Sequence, residues 1–244
     1  LTPRADGRRP DELRSVRLVP DFTQHPLGSV LAELGRTKVL CTVSEELAVP
    51  RHLLGQGRGW ITAEYSMLPA ATDARSEREV TRGRPSGRSQ EIQRLIGRSL
   101  RAVVDLGALG ERTLWVDCDV LQADGGTRCA AITGAYAALA LALARLRRRG
   151  ALATDPLRDS VAAVSAGIVA GETLLDLAYE EDARAEVDMN VVATGRGRFV
   201  EVQGTGEGAT FAPTELAALT ALALRGIERL TRLQAEAIAA GAVR

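Results

Sequence analysis

Three groups of residues carry side chains of the kind and spacing that do chemistry. Asp124, Gly125, Gly126, Thr127 and Arg128 stand between an alternating stretch that predicts a strand over residues 113–121 and an apolar run that predicts a helix over about residues 127–147. A strand, a glycine turn and a helix start make an anion site. The first N–H groups of a helix have no partner within it, its dipole places roughly half a positive charge there, and glycines let an anion come close. Thr127 is expected to cap the helix and offer its hydroxyl, and Arg128 to supply a two-pronged guanidinium. The same residues also suit a plain tight turn with a capped helix and a surface arginine, because neither a Walker loop nor a Rossmann fingerprint is present.

The second group is Pro85-Ser86-Gly87-Arg88-Ser89, which brings Arg88 to the head of a helix predicted over about residues 89–105. Ile92, Leu95, Ile96, Leu100, Val103 and Val104 recur there at three- and four-residue steps and form one apolar face. In the third group, residues 180–190, strand alternation puts Glu186, Asp188 and Asn190 on one face and Val187, Met189 and Val191 on the other. Carboxylates so placed either bind a divalent cation such as Mg²⁺ or pass a proton to a leaving oxygen. Pairing with arginines across an interface fits the spacing equally well. His25 and His52 show no ligand-like spacing, and Cys41, Cys118 and Cys129 share no CxxC pattern, so reduced core thiols are expected rather than a disulfide frame or a zinc site.

The elements that must position these groups follow from periodicity. Residues 28–34 and 38–43 read as a β-hairpin and residues 60–68 as a further strand. Residues 70–89 are almost free of apolar side chains and carry Arg75, Arg78, Arg82, Arg84 and Arg88; so long a polar loop inside a domain is usually functional or disordered. In the second half, residues 161–169 and 186–194 read as strands, 195–198 as a turn, 199–203 as its return strand and 204–208 as a glycine-rich segment. Pro213 then opens a helix. Each half offers strands followed by helix, which predicts an α+β fold of two pseudo-repeated sheet-plus-helix units within one domain, its halves about residues 1–150 and 151–244.

The 244 residues, 45% apolar and 25% charged, exclude a disordered or collagen-like chain. Thirty-one basic residues balance 31 acidic ones, so no whole-molecule field gathers nucleic acid and any polyanion site is local. Lys38 is the only lysine; every other cation is arginine, the residue that grips phosphate with a planar fork. Residues 129–144 carry no charge but fall short of the roughly 20 residues a bilayer demands, which predicts a buried helix. The charged first residues lack the layout of a secretory signal, so a cytoplasmic protein is expected.

Five stretches together resemble the bacterial ribonuclease PH family of phosphate-dependent exoribonucleases. They are Arg4-Ala5-Asp6-Gly7-Arg8-Arg9, Gly87 through Arg98, Asp117 through Arg128, Glu186-Val187-Asp188-Met189-Asn190, and Gly204-Thr205-Gly206-Glu207-Gly208, in the family's order and across nearly the whole chain. The resemblance implies the family's repeated α+β fold and a homo-hexameric ring, a trimer of dimers. It implies trimming of the 3′ ends of tRNA precursors and other RNA by inorganic phosphate, with release of nucleoside 5′-diphosphates and the reverse nucleotide addition. It matches Arg88, Gly126, Thr127 and Arg128 to the phosphate site, Asp182 and Asp188 to catalytic or Mg²⁺-associated carboxylates, and Arg75, Arg78, Arg82 and Arg84 to a region that holds RNA. Cys129 stands where a hydroxyl residue is common in the family, a departure expected to touch no residue assigned to the phosphate or carboxylate site. Two rivals stay open: a silent ring subunit that only binds RNA, and a hydrolytic metallonuclease. A non-enzymatic RNA-binding module would not need the carboxylate strand.

Overall fold

A computed structural model describes residues 4–242, the side chains of Val80, Arg82 and Ala242 apart. Alternating Val, Leu and Thr residues form the strands of a first sheet: β1 (Val16–Pro20), β2 (Gly28–Leu34), β3 (Thr37–Glu46) and β4 (Trp60–Met67). The polar stretch after β4 is not wholly irregular, since Glu79–Arg82 form a 3₁₀ turn. Helix α1 (Gly87–Arg101) starts two residues before the predicted point because Ser86 caps it, accepting from the Ser89 N–H. Past α1, Asp105 caps a short helical turn, α2 (Leu106–Leu109), its side chain accepting from the Gly107 and Ala108 N–H groups.

β5 (Thr113–Gln122) then enters the sheet between β3 and β4, antiparallel to the first and parallel to the second, giving the order β1-β2-β3-β5-β4. Leu114, Val116, Cys118 and Val120 face the core, as their alternation requires. Against this sheet lies α3 (Thr127–Arg148), 22 residues long and apolar enough to cross a membrane, but 89% of its apolar window is buried inside the fold. It is the core helix. Its small residues permit close approach: a Cβ on Gly134 would lie 2.7 Å from the Ala32 Cβ and 2.8 Å from the Cys41 Sγ. Adding that methyl is expected to cost about 1–3 kcal/mol through overpacking.

The second unit repeats the scheme with β6 (Val161–Val169), β7 (Glu172–Leu175), a short helix α4 (Tyr179–Asp182), β8 (Val187–Thr194), β9 (Phe199–Gly206) and α5 (Pro213–Ala242). Its sheet order is β7-β6-β8-β9, with β9 running past its expected end at residue 203 into the glycine-rich segment. Leu219, Leu222, Ala223, Ile227 and Leu230 of α5 cover this sheet's core. The two units are stitched at one seam. Thr133, a hydroxyl within the charge-free part of α3, donates to the Ala163 carbonyl and accepts from its N–H, and the buried Gln234 of α5 donates to Thr133 O and Val161 O. The seam brings the start of α3 and the start of β8 to the same end of the molecule.

Candidate active site at the seam of the two units

The turn after β5 is held from several sides. Thr37 Oγ1 accepts from the Asp124 N–H at 2.9 Å and donates to Gly125 O at 2.7 Å, while Gln122 donates to Arg36 O at 2.7 Å. Gly125 and Gly126 both take left-handed conformations, with φ of 76° and 65°. Gly126, not Thr127, is the helix cap, and it offers no side-chain cap hydrogen bond to the first N–H groups of α3. This corrects the expected capping role of Thr127. With glycine in the left-handed region at the cap, Thr127 falls inside the first turn, where its hydroxyl accepts from Tyr65 O–H at 2.9 Å. Its own hydrogen is thereby left to donate. Burial pushes Tyr65 up, against its bond to Thr127 and the nearby charges of Arg88 and Arg128, so the phenol stays a donor.

Arg128 points from α3 toward β9, where its Nη1 donates to Gln203 Oε1 at 2.8 Å and to Glu91 Oε1 of α1 at 3.4 Å. Arg88, exposed in the first turn of α1, acts together with Arg128 on Tyr65 and on Asp182. The structure therefore gathers Arg88, Gly126, Thr127, Arg128, Asp182 and Asp188 into one electrostatic neighbourhood. Arg75, Arg78 and Arg84 are exposed and stand outside it; Arg78 and Arg84 line an adjoining cleft of about 520 Å³ with Tyr65, Gln93, Asp117 and Asp119. The Arg82 side chain lies outside the described residues.

The carboxylates come from the second unit. Asp182 ends α4, and Asp188 is the second residue of β8, on the polar face that alternation predicted; Glu186 precedes the strand and is exposed. Burial raises the Asp182 carboxyl, while Arg88, Arg128 and Arg14 pull it back. Burial and the neighbouring Asp182 push Asp188 further, to about 6, against Arg128 and a hydrogen bond from Asn190. Asn190 Nδ2 donates to Asp188 Oδ2 at 3.3 Å, yet the buried Oδ1 has no hydrogen-bond partner among the described residues. An orphaned carboxylate oxygen beside a second carboxylate suits a cation. Among the described residues no group of three or more His, Cys, Asp or Glu side chains converges as metal ligands; a pair of carboxylates is what an ion such as Mg²⁺, which keeps waters and takes substrate phosphate, requires of the protein.

Cys129, expected to stay clear of both parts of the site, is tied to the carboxylate strand. Burial pushes its thiol up to about 12, and the neutral S–H donates to Asn190 Oδ1 at 3.3 Å, which turns the Asn190 amide toward Asp188. All three cysteines are free and buried, as expected. Of the histidines, His52 rests edge-on against Trp60 with ring centroids 6.0 Å apart.

The positioning residues around the carboxylates were not singled out by spacing. Arg4 clamps Glu181 with its Nε and Nη2, both at 2.7 Å, and Arg8 donates to Asp176 O at 3.0 Å. Burial alone would raise Glu181, but Arg4, the Ala178 N–H and Arg8 hold it below the ordinary carboxylate range. The one sign of this arm in the sequence is the arginine-rich stretch at residues 4–9, whose partners lie far along the chain.

The first unit and the second each match one half of a known pair of family models: "3' exoribonuclease family, domain 1" over residues 12–144 and "domain 2" over residues 159–226. The chain belongs to the 3′ exoribonuclease family. Among its relatives, proteins named Ribonuclease PH from two strains of Mycobacterium leprae, Br4923 and TN, are each 59% identical over 240 residues, 98% of this chain and 93% of theirs. Rice Rrp46 has the same fold, with a TM-score of 0.77 at 20% identity over 96% of this chain and 100% of that one. A subunit of the Archaeoglobus fulgidus exosome, solved "with RNA bound to the active site", superposes with a TM-score of 0.76 at 26% identity over 94% of this chain and 91% of its own. Membership of this family makes the chain a phosphorolytic 3′ exoribonuclease with phosphate as co-substrate, and neither rival activity is favoured.

Proposed function

We propose that the protein shortens tRNA precursors and other RNA from the 3′ end in the cytosol, as a homo-hexameric ring built from three dimers, with Arg88, Gly126, Thr127 and Arg128 holding the attacking phosphate. The observation that carries this reading is the meeting of a helix start without a side-chain cap and Arg128 from one unit with the carboxylates of the other. Likeness to the exosome subunit solved with RNA at its active site supports RNA as the polymer.

Orthophosphate attacks the terminal phosphodiester in line. The new P–O bond forms as the bond to the penultimate 3′ oxygen breaks, and a nucleoside 5′-diphosphate leaves. One phosphate linkage replaces another, so the reaction is nearly balanced and runs backwards when diphosphates exceed phosphate. A nucleophile with about two negative charges approaches an anionic diester, so the main tasks are charge neutralisation and alignment. The N–H groups of α3 and the Thr127 hydroxyl donate to the phosphate, and the guanidinium groups of Arg88 and Arg128 neutralise it. Asp182 and Asp188 would hold Mg²⁺, which when bound screens the charge on the scissile phosphate. The raised Asp188 carboxyl is ionised above about 6, so its part in holding a cation comes in with rising pH. Arg75, Arg78, Arg82 and Arg84 guide the single-stranded end by its backbone; with eight aromatic residues in the chain, base stacking plays little part.

The test is incubation with Mg²⁺ and a 3′-extended tRNA precursor, with and without orthophosphate. Diphosphates that appear only with phosphate are the expected products. Monophosphates released without phosphate overturn the reading in favour of hydrolysis, and RNA binding without any product overturns it in favour of a silent subunit.

A further inference from the structure

The two parts of the site come from different units, and one buried side chain touches both. Arg14, 4% exposed, grips Asp176 with its Nε at 3.1 Å and its Nη2 at 2.7 Å, and its backbone N–H donates to the same carboxylate at 2.8 Å. The remaining arm of the fork, Nη1, donates to Asp124 O at 2.6 Å and approaches Gly125 O at 3.5 Å. Asp124 and Gly125 form the turn that opens α3. Asp176 opens the loop that leads through α4 to Asp182, and it is itself held at a φ of 54°, a conformation non-glycine residues seldom adopt.

We propose that Arg14 is a positioning residue for phosphorolysis, whose rigid guanidinium fixes the distance and angle between the phosphate-binding turn and the carboxylate loop. This rests on the reading of those two segments given above. The fit around the fork is tight from both sides. A Cβ on Gly126 would lie 2.9 Å from Arg14 Nη2, and one on Gly125 would lie 2.8 Å from both Leu177 O and Tyr179 N. The double glycine thus serves two purposes: it leaves helix N–H groups open to an anion, and it lets the turn seat directly on Arg14 and on the backbone that leads to α4. The planar fork sets three donors at fixed angles, so the Asp124 carbonyl cannot shift without moving the Asp176 carboxylate. A lysine ammonium is a point charge on a flexible stem and can neutralise Asp176 without bridging both segments. Misplacement of reacting groups by about 1 Å costs roughly 100-fold in rate.

The test compares wild type, Arg14→Lys, and the double variant Arg14→Ala/Asp176→Ala, which removes both buried charges so that neither is left unpaired. Melting temperature and solution mass report folding, and steady-state phosphorolysis of a 3′-extended RNA, with orthophosphate and RNA varied in turn, reports function. The expected result is folded variants in which kcat falls roughly 10- to 100-fold and KM for orthophosphate rises, while KM for RNA stays within about twofold. A purely structural role would lower the active fraction and leave both KM values unchanged. A folded Arg14→Lys protein with wild-type kcat and phosphate KM overturns the proposal, as does full activity in the double variant. Wild-type protein that releases no diphosphate overturns the proposed function instead, so the two failures are distinct.

Discussion

Replacing Asp188 by asparagine is expected to make the metal-free protein more stable and far less active. The cause is the environment of the carboxylate: burial and Asp182 lift it from 3.8 to about 6, and its buried Oδ1 has no hydrogen-bond donor. A carboxyl whose folded pKa exceeds its unfolded value contributes stability that is fully present below the unfolded value and is lost as pH rises through the folded one. The window here runs from 3.8 up to about 6. A shift of roughly two units corresponds to about 3 kcal/mol, and solvent reaching the half-buried group trims this to about 1–3 kcal/mol. For a chain of this size, each kcal/mol moves the melting temperature by about 2–4 °C, so the variant should melt about 2–12 °C above wild type near pH 8. The assay is thermal unfolding of both proteins in a chelator between about pH 4 and 8. The gap should close on acidification through about 6, and Mg²⁺ should stabilise wild type alone. A variant no more stable than wild type near pH 8, or a gap independent of pH, would refute the argument.

Arg128→Ala is expected to lose roughly 100-fold or more in phosphorolysis, the scale of removing one preorganised charge partner; near-normal rates at saturating phosphate would remove Arg128 from the phosphate site. Phosphorolysis by wild type should rise with pH through about 6 and then level as Asp188 ionises, whereas a rate that falls through the same range would assign Asp188 the role of proton donor. Cys129→Val, which strips Asn190 of its S–H donor, should lower kcat by roughly 3- to 10-fold, the worth of one neutral hydrogen bond, with Cys129→Ser restoring it. The double variant Arg78→Ala/Arg84→Ala should weaken RNA binding and flatten its dependence on log salt by about 0.7 for each lost phosphate contact; parallel salt plots would show that these arginines do not touch the RNA backbone.

What could be read from the sequence was what depends on near neighbours. The β5 alternation, the apolar run of α3, the double glycine between them and the polar face carrying Asp188 are all patterns within a few residues. The Thr127 cap was misplaced because a glycine in the left-handed region does the work at Gly126, and sequence spacing does not reveal which of two adjacent residues makes that turn. The short elements β7 and α4 have too few residues to show a period, so the loop carrying Asp176 and Glu181 had no visible frame. Tyr65, Gln203 and Arg14 act through contacts 62, 75 and 162 residues away, and no local signal marks such pairings.

The clamp of Arg4 on Glu181 joins residues 177 positions apart. During synthesis at about 5–20 residues per second, the first arginines emerge roughly 9–35 s before the glutamate they hold. The first unit, with its phosphate turn, is by then complete, but neither Asp182 nor Asp188 has been made. A chain that stops short of Asp182 therefore carries the phosphate turn without the carboxylates, and the two halves of the site meet only when the second unit folds against the arm made first.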